Sequence, residues 1–135
     1  MKICLVVFLL TSLSAFGHQE LSIAQQQKIV DKIAKEERKE LWAKGHEYVT
    51  SKVSRLDKSA LDVLVEQGRM TYDLLNQDDV VAFYGCINSP TTCTLFIIDI
   101  TSEYMSGYGK DRAWILLNPR NGLVEHYVKQ TVYSE

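Results

Sequence analysis

The hydrophobic period of this chain changes once, near Val80, and that change decides which folds are open to it. Before it, apolar residues recur every three or four positions, as on one face of a helix; after it they alternate, as on a strand. Leu61, Leu64, Val65, Gly68, Tyr72 and Leu75 make one helical stripe over four turns, with Asp57 or Ser59 placed to cap its start. Gly68 within the stripe implies close packing against bare backbone. Upstream, Ser22 and Gln25 have the spacing of a capping box, and Ile29, Val30, Ile33, Leu41, Trp42 and Val49 follow at helical spacing. Glu36 and Glu40, like Lys35 and Lys39, are like-charged pairs four apart, so this first helix must be held by docking its stripe. Gly45 is where it bends or stops.

Beyond Val80, residues 80–86 and 93–101 are β-rich, and the second run sets Thr94, Phe96, Ile98 and Ile100 against Leu95, Ile97 and Asp99. Residues 112–117 and 123–133 flank a turn in which Pro119 presets φ and Gly122 supplies a positive φ. Two hairpins are therefore expected, joined by residues 102–111. Helices followed by strands specify an α+β domain, two N-terminal helices packed on one face of a four-stranded antiparallel meander sheet. In element order alone, strands curled around a helical layer resemble the cystatin-like and nuclear-transport-factor-like arrangement. No motif of either family is present, so the resemblance implies shape and not activity.

Residues 1–17 carry Lys2, an apolar run from Cys4 to Leu10, then a small-residue stretch ending Ala15-Phe16-Gly17, the layout of a cleaved export signal. The run is far short of the roughly 20 residues that span a bilayer, so no stable membrane anchor is expected after cleavage. Residues 18–135 are then one domain in the periplasm or secretory space. Cys86 and Cys93 remain there, and an even pair in an oxidising compartment predicts a disulfide, at the tip of the first hairpin. One C-x6-C pair without close histidines lacks the four ligands of a metal site, and neither metal nor cofactor is expected.

Without Lys2 the domain holds 14 basic against 17 acidic residues, which argues against nucleic acid. Residues 57–135 hold six bases and eleven acids, so an electrostatic partner of that half would be basic. His18, as the first mature residue, has the chemistry of a copper brace, but the enzymes that use one are β-sandwiches. Glu125 and His126 point to opposite faces of a strand and form no dyad. Asp99 interrupts the Leu95–Ile97 face, and with Tyr127 or His126 it would be an acid–base candidate if that face lined a cavity.

No nucleophile elbow or phosphate loop is present, which favours binding over catalysis. The Tyr/Ser/Gly-rich segment 102–111 has the composition of protein-binding loops, with Tyr104, Met105, Tyr108 and Lys110 as its candidate contacts. The expectation is an exported binding or inhibitor protein acting on another protein. The alternatives are a small-ligand carrier or enzyme with a cavity at Asp99, and an envelope-assembly component with an open strand edge near residues 128–133.

Overall fold

The computed structural model describes residues 20–68, 74–105 and 107–134; the proposed signal, His18 and Tyr72 lie outside them. Helix α1 (Ile23–Ala43) starts at a complete capping box: the Ser22 hydroxyl accepts from the Gln25 N–H at 3.1 Å, and the Gln25 side chain accepts from the Ser22 N–H at 2.8 Å. It ends in a Schellman motif. The Gly45 N–H donates to the Trp42 carbonyl and the His46 N–H to the Leu41 carbonyl, each at 3.0 Å, with Gly45 at φ +89°. Val49 therefore does not extend α1 but lies in strand β1 (Glu47–Arg55), which the helical reading of this stretch missed.

Helix α2 (Lys58–Gln67) is capped by Asp57, whose carboxylate accepts from the Ala60 N–H at 2.8 Å. It stops at Gly68, shorter than the stripe predicted, and Leu75 lies beyond it with its side chain against the bare Gly68 backbone. The next element corrects the sequence reading outright: residues 80–86 are not a strand but part of helix α3 (Gln77–Ile87). Asn76 caps it, accepting from the Asp78 N–H at 2.7 Å, and Asp78 and Asp79 place negative charge in its first turn, where the helix dipole favours it. Phe83 and Cys86, three apart, supply the buried face. The Tyr84 hydroxyl then donates to Asp62 at 2.6 Å, joining α3 to α2.

Strands β2 (Thr94–Tyr104), β3 (Gly107–Leu117) and β4 (Val124–Ser134) follow, and the sheet runs β1-β2-β3-β4, antiparallel throughout. The α+β class and the four-stranded meander are as expected, with β1 in place of the misread first strand. Cys86 and Cys93 are bridged, their Cα atoms 5.1 Å apart. The bridge ties the end of α3 to the start of β2 instead of closing a hairpin tip.

Strict alternation in β2 gives two cores. Phe96, Ile98 and Ile100 join Ala113, Ile115 and Leu117 under Val30 and Ala34 of α1. Leu95 and Ile97 join Trp114 and Leu116 under Leu61 of α2 and Phe83 of α3. The helices thus cover both faces of the sheet rather than one. Trp114 stacks on Phe83 at 4.4 Å and its indole N–H donates to the Gln130 side chain at 3.1 Å, so the buried ring keeps a polar partner. At the far end, the Leu21 N–H donates to the Pro119 carbonyl at 2.7 Å, and Gly122, at φ +75°, lies beneath Ile29 and Leu21.

Candidate binding surface

The Schellman turn that ends α1 also fixes His46 and aims the chain into β1. Its imidazole Nδ1 is hydrogen-bonded to the buried hydroxyl of Ser102 at 2.8 Å, and its ring lies against Tyr104, centroids 5.1 Å apart. Two residues later Tyr48 adopts φ +52°, the one non-glycine residue at positive φ among the described residues, beside a register shift in the β1–β2 ladder. A bulky side chain held there costs energy, and such positions cluster where function needs a particular orientation. Here the turn leaves Tyr48 73 % exposed.

Glu47 pairs with Glu103, so the start of β1 lies beside the end of β2. The segment expected as a loop over residues 102–111 is instead a tight hairpin, because Tyr104 faces Gly107 across the ladder and only two residues turn between them. Tyr104 is half-buried on the α1 side of the sheet, its hydroxyl donating to the Tyr108 carbonyl at 3.3 Å and its ring crossing Gly109, where a Cβ would stand 3.5 Å from it. Met105 is fully exposed at the tip. Tyr108 lies on the opposite face, 46 % exposed and edge-on to Tyr133 at 6.0 Å. Lys110 points along that same face to Asp99, 3.9 Å away. Of the four candidates, Tyr104, Met105 and Tyr108 therefore surround the tip, and Lys110 is drawn back from it.

Trp42, expected in the packed stripe of α1, is 55 % exposed in the last turn of that helix. It stands at the same end of the molecule as Tyr48, Met105, Tyr108 and Tyr133. No protein-family model, curated protein or solved structure matches this chain.

Between α1 and the hairpin runs a cleft of about 580 Å³, walled by His46, Ser102, Tyr104 and Tyr133. It continues, through Lys44, Asp111 and Thr131, into a narrower one of about 220 Å³ beneath Glu37 and Glu40. Along the latter, Tyr127 donates to Glu37 at 2.6 Å, and Lys129 donates to Glu37 at 2.9 Å and Glu40 at 3.4 Å.

Asp99 is engaged elsewhere. The Arg112 guanidinium donates to it at 2.7 Å, is itself almost wholly buried, and packs near the Trp114 ring. Neither expected acid–base partner reaches it. His126 is bonded to Asp79 at 3.0 Å, and Tyr127 is on the other face with Glu37. Among the described residues, no group of three or more His, Cys, Asp or Glu is arranged to hold a metal ion, and no helix is long and apolar enough to cross a membrane.

Proposed function

We propose that this chain is an exported binding or inhibitor protein that engages another protein through the end of the fold where α1 stops and the β2–β3 hairpin turns. One observation carries the reading: Trp42, Tyr48, Met105, Tyr108 and Tyr133, drawn from five different elements or turns, are all exposed at that one end. Exposed large apolar side chains scattered singly need no explanation, but aromatic anchors gathered on a rigid scaffold are what binding hot spots are made of. The Cys86–Cys93 bridge supports an oxidising destination, periplasmic or secreted.

The test is affinity capture from the native host's envelope and secreted fractions, using wild type and a Tyr48→Ala/Met105→Ala/Tyr108→Ala variant. Tyr48 and Met105 bury little and Tyr108 is about half-exposed, so the melting temperature should move only slightly. Loss of true anchors weakens a complex by about 2 kcal/mol each, roughly thirtyfold. A Val63→Ser/Val81→Ser control alters exposed residues on α2 and α3 and should retain the partner. Equal capture by all three proteins would remove the reading.

A second reading, an envelope component that accepts an added strand, is favoured by one observation: β4 is eleven residues long and, among the described residues, has a sheet neighbour only on its β3 side. Two register shifts in the β3–β4 ladder and the charge of Lys129 count against it, since bulges and lysines are how edges are kept from pairing.

A further inference from the structure

We infer that the cleft between α1 and the β2–β3 hairpin receives an arginine side chain of the protein partner, a step that rests on the surface reading above and names the chemistry it recognises. The first support is Asp111. It is half-buried in β3 where the two clefts meet, and among the described residues its carboxylate has no ion-pair or hydrogen-bond partner. A carboxylate that has lost part of its hydration without gaining a partner is stabilised by an incoming cation.

The second is the end of α1, whose carbonyls give the cleft partial negative charge and whose last turn contains no basic residue. The charged residues along both clefts are Glu37, Glu40 and Asp111 against Lys44, Lys129 and Arg112, but the Arg112 guanidinium is turned to the opposite face of the sheet and paired there with Asp99. Lys129 is already committed to Glu37 and Glu40, and Lys44 stands exposed on the rim, leaving Asp111 as the uncompensated group.

The third is the wall. The Tyr104 and His46 rings line the same cleft as Asp111, with the Tyr104 ring lying over the bare backbone of Gly109. A guanidinium can present two N–H groups to Asp111 while its plane rests on an aromatic ring, whereas an ammonium has no plane to stack.

The test titrates isotope-labelled full domain with three capped tripeptides, acetyl-Gly-Arg-Gly-amide and its lysine and glutamine counterparts, followed by amide chemical shifts. The arginine peptide should move His46, Gly109 and Asp111 saturably, with a dissociation constant on the order of millimolar, as one side chain allows. Lysine and glutamine should bind more weakly, and Asp111→Asn should weaken arginine binding about tenfold with an unchanged melting curve. Equal shifts from the glutamine or lysine peptide, shifts mapping away from the cleft, or full binding by Asp111→Asn would each overturn the inference. A Tyr48→Ala/Tyr108→Ala variant, whose changed residues do not line the cleft, should still take the peptide, so failure of the cleft and failure of the aromatic surface are read in separate experiments.

Discussion

The hydroxyl of Tyr127 donates to a carboxylate oxygen of Glu37 at 2.6 Å and so ties β4 to α1 across ninety residues of sequence. Burial, then the hydrogen bond and charge of Glu37, push the Tyr127 phenol far above its ordinary range. Burial opposes the charge on Lys129, but its bonds to Glu37 and Glu40 and their charges together outweigh it and raise that pKa as well.

Both groups therefore hold their protons more tightly folded than unfolded. Their contribution is complete below the unfolded values of about 10 and is lost as pH rises through the folded ones. Urea midpoints taken between pH 9 and 11.5 should fall more steeply for wild type than for Glu37→Gln, which removes the charge but not the burial. Parallel slopes would show that the node is not what the alkaline limb reports.

Asp99 should behave as a structural residue. Replacing it with Ala leaves the buried Arg112 guanidinium short of its partner, a loss of about 3 kcal/mol by denaturant titration. Changing both at once, Asp99→Leu with Arg112→Met, should recover most of that loss, because the isolated charge is gone. A double variant as unstable as Asp99→Ala would contradict the pairing.

The bridge between Cys86 and Cys93 closes a short loop, for which chain entropy gives about 2 to 3 kcal/mol. Cys86 also belongs to the buried core, so alanine is the better replacement than serine, which would bury a hydroxyl. Cys86→Ala/Cys93→Ala should fold and lose roughly that much stability, measured against the oxidised parent. Alkylation of unreduced protein made in its host should find neither thiol free.

At Gly122 a side chain has no room. A Cβ there would stand 2.9 Å from Ile29 Cδ1 and 3.1 Å from Leu21 Cδ1, on a backbone at φ +75°. Gly122→Ala should cost about 1 to 3 kcal/mol, and a compensating Ile29→Val should return part of it by relieving the clash alone. No recovery in the double variant would assign the cost wholly to the backbone.

What was legible in the sequence is what is decided within a few residues. Ser22 with Gln25, Asp57 as a cap, the alternation of β2 and the cysteine pair all rest on local chemistry and stand in the structure. Residues 80–84 misled because Val, Phe and Tyr favour strands, while the turn-forming residues Asn76, Asp78 and Asp79 just ahead of them open a helix. β1 was hidden because Val49 falls by coincidence at helical spacing after Leu41 and Trp42, and Gly45 was the signal that the spacing had ended. At the candidate binding surface, the hairpin aromatics were visible as composition. Trp42 and Tyr48 were not, since the exposure of one depends on where α1 stops and of the other on a left-handed backbone. His46 and Ser102 meet across 56 positions, and nothing local predicts that.

The tie between Leu21 and Pro119 has a practical corollary. β3 is eleven residues, roughly 35 Å at strand spacing, and it separates the turn that holds Leu21 from the tip that carries Met105. A handle attached ahead of residue 20 leaves from the end remote from the aromatic side chains. Fixed to a bead or sensor chip by such a handle, the molecule would stand with Tyr48, Met105 and Tyr108 turned to the flowing solution, whereas a handle following Tyr133 would bring the chip against them.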